Sequence, residues 1–194
     1  MSSLKHEGFS CHDRLIVQVF PSPKPISNSE SEPMAKEIER KFLVSGQRWR
    51  TFADEGIAIR QAYIVAQDDR SLRVRIYGNG QARITLKVGH TALVRDEYEF
   101  EIDRDEAEDM LRHAIGTVIR KVRYKVPHEG HIWEVDVYEG AHRGLVIAEV
   151  ELASIHDEPE LPNWVGREVT GESQYSNQSM ALGISDGARL HQLA

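Results

Sequence analysis

Glu37-Ile38-Glu39-Arg40-Lys41 places two carboxylates and one ammonium at alternate positions. In a β-strand successive side chains point to opposite faces, so Glu37, Glu39 and Lys41 share one face and Ile38, Arg40 and Phe42 the other. Two carboxylates beside an ammonium on a stiff backbone can hold a divalent cation and a phosphate together. Hard cations take oxygen ligands, and phosphate seeks positive charge. Taken alone, the segment reads better as an edge strand with a solvated charged face.

Later stretches repeat the alternation. Arg73 and Arg75 alternate with Leu72, Val74 and Ile76. Arg83, Thr85 and Lys87 share a face. Glu97, Glu99 and Glu101 oppose Tyr98, Phe100 and Ile102. Lys121, Arg123 and Lys125 form a cationic row, while Glu134 with Asp136 and Glu149 with Glu151 return to acid. Each reads as a strand with one ionic and one apolar face.

The elements that must position these rows follow from turn and cap signals. Strands are expected over 57–66, 71–77, 81–88, 92–102, 118–127, 132–138 and 145–152. Gly78-Asn79-Gly80 and His128-Glu129-Gly130 mark hairpin turns. Asp103, with Glu106 three residues on, predicts a helix start; Ala107, Met110, Leu111 and Ala114 carry its apolar stripe over 104–114, and Gly116 is expected to end it. A short helix is expected near 47–54, a loop over 159–162 and a terminal helix over 172–182.

Composition bounds the reading. The 194 residues, 40% hydrophobic, suffice for one domain with a real core. A net charge of -7 argues against general nucleic-acid binding, which leaves a basic footprint. The single cysteine, Cys11, permits no internal disulfide and suits a reducing cytoplasm. No apolar run approaches the roughly 20 residues of a membrane helix, and no signal peptide is evident. Residues 1–33, rich in Pro, Ser and acid, are expected to be a disordered or loosely attached extension. Met34 reads as the natural start, residues 34–185 as the domain and 186–194 as a flexible end.

About eight antiparallel strands with few helices predict an α+β, mainly β fold: a closed or nearly closed antiparallel barrel. Cationic and acidic rows could meet across a water-filled lumen, sparing them full desolvation, with the apolar faces packed outward against helices.

The ordered set of motifs, from about Lys36 to Leu182, resembles the CYTH superfamily, also called triphosphate tunnel metalloenzymes. Its members include class IV adenylate cyclases, thiamine triphosphatases and inorganic triphosphatases. The resemblance implies an eight-stranded tunnel that binds a triphosphate with Mg²⁺ or Mn²⁺. It implies Lys41, Arg73, Arg75, Lys87 and Arg123 as triphosphate ligands, since planar guanidinium donors chelate phosphate oxygens. It implies Glu37, Glu39, Asp136, Glu149 and Glu151 as the metal site; the alternative for each acid is a structural ion pair. Arg83 has the right parity but matches no family motif and is read as structural.

Arg60-Gln61-Ala62-Tyr63-Ile64 resembles an Arg-Gln-Gly-Tyr-Leu stretch of short bacterial members, which makes Tyr63 a candidate proton acceptor. A free tyrosine, with pKa about 10, is a poor base at neutral pH unless nearby cations favour its phenolate. Lys121 is the rival acceptor, because desolvation and neighbouring cations can lower its pKa. The terminal helix departs from relatives that carry basic residues there: 171–182 has no lysine or arginine, leaving Arg167 or Arg189 as substitutes.

The nine histidines fall mostly in expected turns, including His90, His128, His131 and His142, and none has zinc-like helical spacing. No Walker-type loop is present. Trp133 is expected to pack outward, and Trp49 and Trp164 to pack in a helix or loop. The expected activity is metal-dependent hydrolysis of a triphosphate, inorganic triphosphate first. The alternatives are a class IV adenylate cyclase, a non-catalytic polyphosphate or organophosphate binding module, and a plain β-sandwich with a charged surface. The expected partner is the small substrate, with no nucleic acid or membrane; the chain could also pair with a second copy of itself.

Overall fold

The computed structural model describes residues 36–89 and 95–184, except for the side chains of Lys36, Glu37 and Arg95. The expectations for residues 1–33, Met34, His90, 186–194 and Arg189, and for a strand start at Ala92, lie outside the described residues.

The strands are β1 (Lys36–Glu37), β2 (Glu39–Val44), β3 (Ile57–Ala66), β4 (Arg70–Tyr77), β5 (Ala82–Val88), β6 (Arg95–Ile102), β7 (Ile115–His128), β8 (His131–Tyr138), β9 (Val146–Glu151) and β10 (Val165–Glu168). They form one antiparallel sheet in the order β1-β6-β5-β4-β3-β7-β8-β9-β2-β10. Only Ile38 separates β1 from β2, so the continuous stretch Lys36–Val44 pairs with β6 at one end of the order and with β9 near the other. Taken as one stave, β1 and β2 join β3 to β9 to make eight.

Tight turns fix the registers. The Glu129-Gly130 turn has positive φ at both residues, 42° and 80°, as a two-residue primed hairpin requires. It sets His128 opposite His131 and therefore Arg123 opposite Asp136. β10 was not anticipated. Its four residues carry little apolar alternation, and it exists through pairing with β2, Val165 opposite Val44 and Glu168 opposite Phe42.

The apolar faces bury against outer elements. Phe42, Val126, Trp133, Val135, Ala148 and Val150 pack with Trp49 and Trp164. Trp133 therefore faces away from Glu134 and Asp136, as alternation predicts, and Trp49 and Trp164 serve packing. Trp49 sits on a 3₁₀ turn, Arg48–Thr51, in place of the longer helix expected there.

Helix α1 (Arg104–Leu111) lies on β3 to β5, its Ala107 buried among Ala62, Val74, Ile76 and Ala82. The Asp103 carboxylate accepts from Asp105 N at 2.8 Å, so the cap forms where the sequence put it. The helix stops short of Ala114 because its end tightens into three-residue bonds: Arg112 N, His113 N and Ala114 N donate to Asp109, Met110 and Leu111 carbonyls.

Gly116 does not end the helix. It lies within β7 at φ 76°, where a Cβ would come 2.2 Å from the Ala181 carbonyl oxygen. Only glycine lets β7 pass so close to α2 (Asn177–Leu182). The expected single C-terminal helix is split, with a 3₁₀ turn over Ser173–Tyr175 before α2. Ser176 breaks it, because its side chain caps α2 by accepting from Ser179 N at 3.0 Å. Among the described residues, no helix is long and apolar enough to cross a membrane.

Candidate active site

The ionic rows share one face of the sheet and line a cavity of about 1640 Å³. Strand parity and register bring them there. Arg73 and Arg75 project from β4, opposite Tyr63 and Gln61 of β3 and opposite Thr85 and Arg83 of β5. Thr85 and Lys87 in turn face Glu99 and Glu97 of β6. On the other side, Glu39 of β2 is the direct partner of Glu151, and Lys41 of Glu149. Lys41, Arg73, Arg75, Lys87, Arg123, Glu39, Glu149, Glu151 and Tyr63 all line the cavity. The Glu37 side chain lies outside the description.

Around β2, β7, β8 and β9 the charges compensate one another. Lys41 Nζ donates to Glu149 Oε1 at 2.5 Å and pairs with Glu39 Oε1 at 2.7 Å. Burial alone would lower the pKa of Lys41, but Glu149 and Glu39 outweigh it and hold the ammonium above its ordinary value. Arg123 joins three acids. Its Nε and Nη2 donate to the two Asp136 oxygens at 2.7 Å each, Nη2 also reaches Glu149 Oε2 at 2.7 Å, and Nη1 donates to Glu134. Burial would raise the Glu149 carboxyl, yet Lys41, Arg123 and Lys121 hold it well below the usual carboxylate range.

Lys121 and Asp136 are not among the cavity-lining residues. They sit behind the wall, at 1% and 0% exposure, with the Lys121 ammonium donating to Asp136. An apolar cluster of Tyr63, Ile119, Tyr138, Ile147, Met180 and Ala181 lies beside them, the last two from α2. Desolvation, then the nearby Arg123 charge, lowers the Lys121 pKa to about 7, against the opposing pull of Asp136 and Glu149. Tyr63 is 5% exposed and belongs to this cluster while still touching the cavity. The register shifts on both sides of Tyr63, between Tyr63 and Val65 against β4 and between Gln61 and Tyr63 against β7.

The β4 sector is different. Arg73 Nη2 donates to Thr85 Oγ1 at 3.3 Å, and the Thr85 hydroxyl donates to Glu99 Oε1 at 2.8 Å. Arg75 is 8% exposed, and its hydrogen-bond partner is the Tyr77 hydroxyl at 3.1 Å. No carboxylate pairs with Arg75 among the described residues. Burial, then Arg73 and Arg123, depress its pKa. Arg75 is thus a buried guanidinium crowded by like charges, with a phenol as its hydrogen-bond partner.

Arg83, read from the sequence as structural, makes ion pairs on the cavity side. It lines the cavity, with Nη1 3.2 Å from Glu99 Oε2 and Nη2 3.4 Å from Glu101 Oε1. Its parity with Thr85 and Lys87 was the available signal. Glu97, 2.8 Å from Lys87, and Glu134 join the lining by the same alternation. His131, expected on the surface, also reaches the lining, its Nε2 3.4 Å from Asp157. Arg167 is not in the lining; it pairs with Glu172 and donates to the Tyr175 hydroxyl at 3.2 Å. Polar residues of 171–179, including Ser173, Ser176 and Gln178, border the cavity.

A sequence profile described as the CYTH domain matches residues 35–185. The chain belongs to the CYTH family. This CYTH chain is 44% identical over 148 residues to a protein named inorganic triphosphatase from Acetivibrio thermocellus, covering 76% of this chain and 94% of that one. It is 35% identical over 156 residues to an inorganic triphosphatase from Nitrosomonas europaea, covering 76% and 98%. The crystal structure of an inorganic triphosphatase superposes with a TM-score of 0.56 at 33% identity, covering 78% of this CYTH chain and 97% of that one. A Pyrococcus horikoshii protein, at 21% identity and a TM-score of 0.51, shares the fold.

Proposed function

We propose that this chain hydrolyses inorganic triphosphate inside an eight-stranded closed barrel. Two relatives, matched over 94% and 98% of their own length, carry that activity in their names. Arg75 is the observation that carries the reading, because among the described residues it is a buried cation with no carboxylate hydrogen-bonded to it, set beside Arg73 and within the same cavity as Lys87 and Arg123. Closure is supported by the Lys36–Val44 stave, which pairs with β6 through β1 and with β9 through β2.

The chemistry of the donor set fits a divalent cation. Glu39 and Glu151 are direct strand partners facing the cavity, and hard carboxylate oxygens suit Mg²⁺ or Mn²⁺. Among the described residues no three acids or histidines are already gathered as a metal nest. Glu39 and Glu151 would form the core of such a site, with Glu37 and Glu149 in support; Asp136, expected among the ligands, lies behind the wall and is bonded to Lys121 and Arg123. A divalent cation held there would supply positive charge to offset that of the phosphates.

The chain's own residues do the rest. Arg73, Arg75 and Lys87 hold the triphosphate from the β4–β5 side. Lys41 and Arg123 face it from the other wall, exchanging carboxylate partners for phosphate oxygens. Fixed cations of this kind stabilise the charge that spreads over the transferred phosphoryl group. Tyr63 reaches the cavity directly and is positioned to orient water. Lys121, behind the wall and with its pKa lowered to about 7 by desolvation, is the rival to Tyr63 as proton acceptor.

Phosphate release from inorganic triphosphate with Mg²⁺ and with Mn²⁺, run beside ATP, tests this reading. Release from inorganic triphosphate is expected. Binding without release would leave a binding module, and cyclic AMP with pyrophosphate from ATP would make the chain a cyclase.

A further inference from the structure

Gln61 is 0% exposed, and neither its amide nitrogen nor its amide oxygen has a hydrogen-bond partner among the described residues. An unpaired buried amide is destabilising, and native proteins leave few of them. A methionine of similar length would fill the space without that penalty.

The register indicates what the amide is for. β3 sends Ile59, Gln61 and Tyr63 to the charged face, and Ile59 and Tyr63 line the cavity. Gln61 lies directly opposite Arg75 on β4. The Arg75 Nε is also buried and, among the described residues, without a partner. An unfilled acceptor and an unfilled donor thus stand on paired residues of one face, where Cβ atoms are roughly 4.5–5.5 Å apart. The guanidinium is held instead through Nη1, by the Tyr77 hydroxyl.

We propose that Gln61 is a positioning residue for the anion site: when a phosphoryl group draws the Arg75 guanidinium into the cavity, Gln61 Oε1 accepts the Arg75 Nε–H and fixes the plane of the fork. An arginine fixed at Nε presents both terminal nitrogens to one phosphoryl group, the bidentate geometry that sets arginine apart from lysine. The buried amide is thus an acceptor completed by substrate. This inference rests on the reading of the cavity as a triphosphate site.

The test is Gln61→Met, with Gln61→Leu as a second shape-preserving variant, each made in the native and in the Arg75→Lys background. The affinity for inorganic triphosphate without metal is measured by calorimetry, KM by phosphate release, and Tm by thermal unfolding. With Arg75 present, the Gln61 variants are expected to bind about tenfold or more weakly, in line with a lost bond to a charged group, while Tm holds or rises. In the Arg75→Lys background, where the side chain offers no Nε–H in a fork, the Gln61 substitutions are expected to add nothing. Unchanged affinity in both Gln61 variants, or the same loss in the Arg75→Lys background, overturns the proposal. A native chain that binds triphosphate but releases no phosphate would defeat the hydrolase reading and leave the calorimetric comparison intact. A native chain that fails to bind triphosphate would defeat both.

Discussion

Lys121 donates to Asp136 from a position where both side chains are at 0% exposure, directly behind the cavity wall. Desolvation and the adjacent Arg123 charge bring the lysine's folded pKa to about 7, against 10.5 for the free side chain. If neutral Lys121 accepts the proton from water, kcat rises as pH passes about 7 and levels above it. Substituting arginine, which stays charged, is expected to remove that limb. A Lys121→Arg enzyme with an unaltered pH–rate profile would exclude Lys121 from proton transfer and leave Tyr63 in the role.

The same group makes stability depend on pH. Between pH about 7 and 10.5 the unfolded chain keeps the Lys121 proton and the folded chain has lost it. The unfolded state therefore binds more protons in that window, and the stability contributed by this group rises with pH through it. Below about 7 both states are protonated and the contribution is flat. Denaturant unfolding of the native chain and of Lys121→Met at pH 7 and pH 9 checks the sign: the native chain should gain more over that interval.

Asp136 anchors both Lys121 and Arg123. Replacing it with asparagine leaves two buried cations short of a counter-charge, and breaking buried pairs of this kind typically destabilises by about 3–5 kcal/mol. Urea unfolding at pH 7 measures the loss. A change under about 1 kcal/mol would mean the pair relaxes into water.

Arg75 should behave in the opposite way. Arg75→Met removes a buried, weakly compensated charge, so folding stability is expected to hold or rise, by up to about 1–4 kcal/mol. Triphosphate affinity should fall by about 2–5 kcal/mol, the range for deleting a buried charge contact. Tm and calorimetric binding on one preparation separate the two effects. Weak destabilisation together with full affinity would place the anion elsewhere.

Gly116→Ala tests the passage of β7 beside α2. The new Cβ would meet the Ala181 carbonyl at 2.2 Å and force a side chain into positive φ, so a loss of at least about 2 kcal/mol is expected in thermal or chemical unfolding.

Alternation in the sequence was enough to place Arg73, Arg75, Lys87, Arg123, Glu39, Glu149 and Glu151 on one face, because each strand has one ionic and one apolar row. It reported facing, but not depth. Lys121 and Arg123 look alike in the sequence, yet one is sealed behind the wall and the other lines it, since α2 and the Ile119–Tyr138 cluster close over the first. Arg83 was legible by parity but was set aside because it matched no family motif. Gln61 carried one signal, its place in the 60–64 stretch that resembles short bacterial members, but nothing there reports that the amide will be buried without a partner. Both β10 and the role of Gly116 depend on contacts with segments far along the chain, β2 in one case and α2 in the other, which local pattern does not report.

The Lys41 main chain is held from far along the polypeptide: Val169 N donates to its carbonyl at 2.8 Å, and its own N–H donates to Thr170 Oγ1 at 3.0 Å. The other edge of the same strand waits for Val146–Glu151. During biosynthesis, then, the earliest stave of the site is among the last to be locked, and for most of translation it is an open edge seeking a mate. We expect a ribosome-arrested chain that stops before Val146 to leave this stretch open to protease. Protection at that stage would show that a transient partner stands in until the C-terminal quarter emerges.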